Sequence, residues 1–255
     1  MQEQIILLGE NNGAMMNKEI EALQSAIISA NRIVAITGAG ISMSAGIKDM
    51  EHLDFFSMIQ MMSETILKTN PKHYYKIVRK GFLDATFIKG PTVAHKKLAE
   101  LEESGKLLGI VTTNIDCMHT AAGNKNVAEI QGSFGVNICL KCGKEHNDMN
   151  IWNKGVCPKC QECGGAISAF PVHSHVGLYH PAVQHARQWL SNADLILVIA
   201  SKGMYGGVYF SDINPKAKII QINPKETEFD RVASVNIRMK ADDVFKQISC
   251  FERQA

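Results

Sequence analysis

The 255-residue chain has no basic block. Its 27 Lys and Arg residues are balanced by 25 Asp and Glu, leaving a net charge of +2 with the histidines neutral. Electrostatics therefore give no reason to expect nucleic acid or an anionic membrane as a partner. Long apolar runs are missing too, since the longest, Leu195 to Ala200, is far too short to span a bilayer. Near the start, Ile5 to Leu8 lie between Glu3 and Glu10, which does not read as a secretory signal, so a cytoplasmic location is expected. Internal repeats and low-complexity segments are absent as well. With 45% apolar and 20% charged residues, the composition excludes disordered and fibrous classes. A chain of this length buries roughly three-quarters of its unfolded surface, enough for one large domain carrying a small insertion.

What is present is an alternation of strands and helices. Ile20, Leu23, Ile27 and Ala30 recur at helical spacing, so Asn17 to Ala30 reads as a helix with Asn17 as its N-cap. Ile33 to Thr37 suits a buried parallel strand, and Gly38-Ala39-Gly40 follows at once, with Ser42 or Ser44 as candidate caps for a further helix. Phe55, Met58, Ile59, Met62 and Ile66 share one helix face, and the cluster of Met58, Met61 and Met62 reads as adaptable core. Asn70-Pro71 opens another helix, and Thr92 to Ser104 forms one ending at Gly105. Leu107 to Thr112 and Val127 to Gln131 read as strands, with a short helix over Asn114 to Ala122 between them. After His180-Pro181 comes a helix to about Ser191, then strands at Leu195 to Ala200 and Lys218 to Ile222. This pattern predicts an α/β fold, a Rossmann-like parallel sheet with helices on both faces. The expected domain spans 1–134 and 172–255, with a helical insertion at about 50–90.

The stretch 135–171 differs in texture, holding five of the seven cysteines. Cys139-x-x-Cys142 and Cys160-x-x-Cys163 are seventeen residues apart, within zinc-ribbon range. Each pair grips one side of a tetrahedral ion, and four sulfur ligands close its shell, so the expected zinc is structural. Cys157-x-x-Cys160 is also a permitted pair; Cys160 and Cys163 are preferred because Gly164-Gly165 follows them. Gly38-Ala39-Gly40-Ile41-Ser42 stands where a phosphate cradle would, with backbone N–H groups facing a pyrophosphate.

Taken together, these segments resemble the sirtuin family, NAD-dependent protein deacylases and ADP-ribosyltransferases. Thr37-Gly38-Ala39-Gly40-Ile41-Ser42, followed by Ser44-Ala45-Gly46-Ile47-Lys48-Asp49, is similar to that family's glycine loop. Thr112-Thr113-Asn114-Ile115-Asp116-Cys117-Met118-His119 resembles its TQNIDGLH motif, and Glu129-Ile130-Gln131-Gly132-Ser133 its E-L-H-G-S. The resemblance covers about residues 20 to 245 in the family's order. It implies NAD as cofactor, held by Gly38, Ala39, Gly40, Ile41, Ser42, Asp49, Thr113, Asn114, Asp116, Gln131, Ala200, Ser201 and Asn223. Asn114 and Asp116 would lie at the nicotinamide and its ribose, and Asn223 at the adenosine ribose.

The departures shape the expected activity. Gln131 stands at the position of the family's catalytic histidine and has no titratable group to act as a base. Met50-Glu51 replaces Phe-Arg, Lys48 replaces a proline, and Ala200-Ser201-Lys202 replaces Gly-Thr-Ser. The segment Val172 to Gly177 lacks the family's Phe-Gly-Glu, and Cys117 replaces a glycine. His119, His173 and His175 could rescue base chemistry, but hydrogen-bonded structural roles are expected for them. A glutamine at this position resembles the macrodomain-linked class M microbial sirtuins. On that resemblance the expected function is protein ADP-ribosyl transfer, with Gln131, Asn114 and Asp116 as catalytic residues. The acceptor would be a protein, such as a lipoylated carrier, with a macrodomain hydrolase as a second partner. Lysine deacylation, or an NAD or ADP-ribose sensor without catalysis, are the alternatives.

Overall fold

In the computed structural model, residues 17–47, 55–175 and 177–248 are described. The first helix, α1, covers 17–29, so Asn17 is itself helical rather than a cap. The chain continues through β1 (Ile33–Thr37), α2 (Phe55–Met61), α3 (Glu64–Thr69), α4 (Pro71–Val78), α5 (Val93–Glu103) and β2 (Leu107–Thr112). Then come α6 (Met118–Ala121), β3 (Val127–Glu129), β4 (Asn137–Cys139), β5 (Ile167–Ala169) and α7 (Phe170–His173). The last elements are α8 (His180–Asn192), β6 (Leu195–Ile199), β7 (Lys218–Ile222), β8 (Val235–Ile237) and α9 (Ala241–Phe245).

Six parallel strands form the main sheet in the order β3-β2-β1-β6-β7-β8. Every residue of β1 and β6 is buried, as continuous apolar strands covered on both faces must be. Ile33, Ala35, Leu195, Leu197 and Ile199 pack on one face with Leu23 and Ile27 of α1, Leu98 and Leu101 of α5, and Phe245 of α9. The alternate residues Val34, Ile36, Ile196 and Val198 meet Ala182, Val183, Ala186 and Leu190 of α8 on the other. Both edges are strands of only three residues, β3 and β8, too short to template pairing with another chain.

The helical layer departs from the single amphipathic face expected over Phe55 to Ile66. Ser63 caps a new helix by accepting from the Ile66 N–H at 3.2 Å, so the face rotates. Met61 and Leu67 are buried, while Ile59 is half exposed at 50%. Asn70 does cap α4, accepting from the His73 N–H with Pro71 at the first position. Helix α6 starts later than expected because Asp116 and Cys117 turn the chain first, and β3 ends at Glu129, two residues short of Gln131. No α-helix starts at Ser42 or Ser44; both lie inside a 3-10 turn spanning Ala39–Ala45.

The inserted segment carries the two-stranded sheet β4-β5 and shares a core with the helical layer. Trp152, fully buried, meets Phe134 edge-on at 4.9 Å and Tyr74 at 6.3 Å. Its indole N–H donates to Asn137 Oδ1 at 2.9 Å, and its backbone oxygen accepts from Tyr75 Oη at 2.8 Å. A large aromatic with its one polar atom satisfied is what holds these two units together. Trp152→Ala should therefore cost about 3–5 kcal/mol, read as a lower urea midpoint in equilibrium unfolding.

Candidate active site and metal centre

The sheet order reverses between β1 and its neighbours, so the cleft lies at the carboxyl ends of β1 and β6. There the two strand ends approach more closely than side chains allow. A Cβ on Gly38 would lie 2.7 Å from the Ala200 carbonyl oxygen and 2.9 Å from Ser201 Cα. A Cβ on Gly40 would lie 2.8 Å from Ala200 Cβ. The glycines are needed first for this contact within the chain, before any ligand arrives. Ala200 itself adopts φ 52°, a left-handed backbone that costs a non-glycine residue roughly 1–2 kcal/mol.

Beneath the loop lies a buried polar network. Ser42 Oγ donates to Asp116 Oδ2 at 2.7 Å, while Asp116 Oδ1 accepts from the Met118 N–H at 3.0 Å. Asn114 Nδ2 reaches the Gly38 oxygen at 3.3 Å and Ser42 Oγ at 3.4 Å. All three residues are buried, so the network has the strength of a low-dielectric site. Asp116 thus does two things: it accepts from the first N–H of the short α6 and it fastens the glycine loop to the segment that follows β2.

Two threonine–histidine pairs extend this bracing: His119 takes the hydrogen-bonded structural role expected of it, and His95 is the residue that sequence reasoning missed. Thr92 Oγ1 donates to the Ile41 oxygen at 3.2 Å and lies 2.8 Å from His95 Nδ1. His119 Nε2 lies 2.9 Å from Thr37 Oγ1, and the two imidazoles pack at 4.6 Å. Burial holds both histidines below their usual pKa, so they are neutral braces at the two ends of the loop. The Thr92-x-x-His95 capping box was a readable signal for this. His173 Nδ1 lies 3.1 Å from the Ala169 oxygen, in the structural kind of role expected.

Gly40, Ile41, Ala200 and Asn223 share one cavity of about 550 Å³, together with Lys202. Glycine-loop backbone, a lysine and an open dinucleotide-sized volume fit a cofactor that carries a pyrophosphate. Asn223 Nδ2 donates to the Ser201 oxygen and its Oδ1 accepts from the Lys225 N–H, both at 3.1 Å. Thr113 and Ser201 instead line a narrow crevice of about 10 Å³. Gln131, half-buried, follows Ile130, whose N–H donates to the Thr112 oxygen, so it stands just past the end of β3. Asp49, with Lys48, Met50, Glu51 and Val176, lies outside the described residues.

Behind the network, Cys117 occupies a left-handed backbone (φ 59°) and is buried in the aromatic core. Burial pushes its thiol well up, so it is a neutral filler. Burial also pushes the neighbouring Glu129 carboxyl up to about 7, and the Asp116 charge adds to this, against hydrogen bonds from Ser133 and Cys117.

In the inserted segment, Cys139, Cys142, Cys160 and Cys163 place their sulfurs within 4.8 Å of one another. Cys139 and Cys163 are 3.4 Å apart and Cys142 and Cys160 3.8 Å. Zinc bound at about 2.3 Å to four sulfurs sets them about 3.8 Å apart, so the set fits a closed structural ion. Cys157 is not part of the cluster; it packs against the aromatic core, where burial pushes its thiol up to about 12.

Comparison with known proteins gives a consistent picture. The Sir2 family model matches residues 38–204. The chain is 31% identical over 238 residues to NAD-dependent protein deacetylase 1 of Pyrobaculum aerophilum, covering 90% of this chain and 93% of that one. It is 32% identical over 232 residues to an NAD-dependent protein deacetylase of Clostridium acetobutylicum, covering 86% and 93%. A solved structure of a Sir2, p53 peptide and NAD+ complex superposes with a TM-score of 0.67 at 25% identity, covering 90% of this chain and 96% of that chain. No helix among the described residues is long and apolar enough to cross a membrane.

Two measurements follow from this geometry. Metal analysis should find one zinc per chain, retained by Cys157→Ser and lost by Cys160→Ser. Glu129 has a folded pKa above its unfolded value, so its contribution is fully present below about 4.5 and is lost as pH rises through about 7. Glu129→Gln should therefore flatten the fall in stability between those pH values, as read by thermal unfolding across a pH series.

Proposed function

The chain belongs to the Sir2 family, and from that premise we propose that it is an NAD-dependent enzyme acting on protein side chains, with lysine deacylation as its reaction. The observation that carries this reading is the Asn114–Ser42–Asp116 network, which fixes the residues of two family motifs against the glycine loop. Bound NAD would supply an ADP-ribosyl carbon open to attack once nicotinamide leaves. Ala39, Gly40 and Ile41 would hold the phosphates, while Asn114 and Asp116 would face the developing positive charge. The relatives named as deacetylases, and the peptide in the Sir2 complex above, support a protein substrate. The segment 135–171 would be a zinc module held by Cys139, Cys142, Cys160 and Cys163, and 1–134 with 172–255 the cofactor domain.

One observation favours a second reading. Gln131 cannot take a proton, and the buried His95 and His119 are held neutral beneath the loop. The step that needs a base is deacylation, where a ribose hydroxyl must lose its proton; a general base contributes roughly 10²–10⁴-fold there. Transfer of ADP-ribose to a protein acceptor, such as a lipoylated carrier, does not use that base. A macrodomain hydrolase would then reverse the modification.

The zinc-loaded chain incubated with NAD, an acetylated peptide and candidate carrier proteins separates the readings by intact-mass spectrometry. Deacylation predicts loss of the acetyl mass, faster by roughly 10²-fold or more in Gln131→His. An ADP-ribose adduct on a carrier with the acetyl group untouched would select transfer instead, and Gln131→Ala should then reduce it. Nicotinamide release in neither case would leave only a sensor.

A further inference from the structure

A second cavity, of about 610 Å³, shares no lining residue with the one that holds Asn223. It lies where α6 and the end of β3 face the inserted segment: Cys117 precedes α6, Glu129 ends β3 and Asp148 belongs to the insert. Phe87, Val136 and Met149 give it apolar walls. Such a volume, with apolar walls and a few convergent polar groups, is the usual form of a small-molecule site.

Its charge is one-sided. Two carboxylates line it, Glu129 and Asp148, and among the described residues no Lys, Arg or His does. Neither carboxylate makes an ion pair among those residues. Arg79 lies over the Phe87 ring at 5.5 Å, but its guanidinium is committed to Asp84 at 2.6 Å. Asp148 is exposed and already accepts from the Asn150 backbone N–H and Nδ2. Glu129 is the deeper of the two, with Ser133 and Cys117 as its hydrogen-bond partners. Burial, with the Asp116 charge adding to it, pushes the Glu129 carboxyl up to about 7, and no cation opposes them.

We propose that this cavity binds the primary ammonium end of an alkylamine, with Glu129 as its counter-ion and the Phe87 and Val136 walls around the alkyl chain. An ammonium group carries three donors and no acceptor, which suits a pocket that offers carboxylate oxygens and lacks a cation of its own. The same group is presented by a free amine or by a lysine side chain of a bound protein. A metal ion is a poorer match. Burial keeps the proton on Cys117, and among the described residues the only group of three or more metal-ligating side chains is the four-cysteine one. No residue assigned to NAD lines this cavity, so the proposal stands apart from the cofactor reading.

Calorimetry of the full zinc-loaded chain tests it, with pentylamine, with a lysine capped at both ends, and with 1-pentanol as the uncharged chain. An amine should bind about tenfold more tightly at pH 8 than at pH 6, because Glu129 ionises between those values while the ammonium stays charged. Glu129→Gln should weaken binding by about tenfold or more and remove the pH dependence. Asp148→Asn, on the exposed rim, should weaken it only about two- to threefold. Pentylamine bound with the capped lysine excluded would assign the site to free amines; both bound would assign it to a lysine of a protein partner. Equal binding of 1-pentanol would overturn the proposal and leave an apolar pocket. So would an amine affinity in the unaltered chain that stays flat from pH 6 to pH 8, a result that decides the matter even if Glu129→Gln does not fold. No heat with either amine at millimolar concentration would overturn it as well, without touching the cofactor reading.

Discussion

The near-contact between Gly38, Gly40 and the Ala200–Ser201 backbone is the constraint on which the site depends. Two central parallel strands end side by side, and their outgoing loops must leave through the same narrow gap. Only a chain without side chains on one loop, and with a left-handed turn on the other, can do so. That crossing places the 3-10 turn over β2, where Ser42 meets Asp116 and Asn114. The polar network is thus a consequence of strand order, fastened by residues 74 apart in sequence.

The same crowding governs the electrostatics. Groups buried around the loop are held in their neutral forms: His95, His119 and Cys117 shift in the direction that removes charge. Asp116 is buried, and its carboxylate accepts from a hydroxyl and a backbone N–H. A single well-satisfied carboxylate in a neutral surround is a sharply localised field, suited to meeting positive charge rather than to moving protons. Proton transfer would have to come from elsewhere, which is why Gln131 decides so much about the reaction.

Much of this was legible in the residues. The strands at Ile33, Leu107, Leu195 and Lys218 are apolar runs flanked by turn residues, and α5 follows from its Thr92 start. Paired spacing narrows the metal-site cysteines and Gly164-Gly165 favours Cys163 over Cys157, while the structure separates Cys157 from them by packing it against the aromatic core. Other features were hidden for physical reasons. β8 has three residues, too few for periodicity, and Ser63 interrupts what reads as one helix because an N-cap is local and periodicity is not. The Ser42–Asp116 bond belongs to tertiary structure, and no spacing in the sequence announces it.

Trp152 gives the molecule an uneven stability. Its ring is shared by the helical layer and the cysteine-bearing insert, so neither can open without exposing the other's aromatic surface. The two form a single cooperative unit, distinct from the sheet with its own two cores. Slow amide exchange would therefore be inherited by α4 from an ion it does not touch. A zinc held by the four cysteines would thus lengthen the lifetime of a helical layer on which it has no ligand.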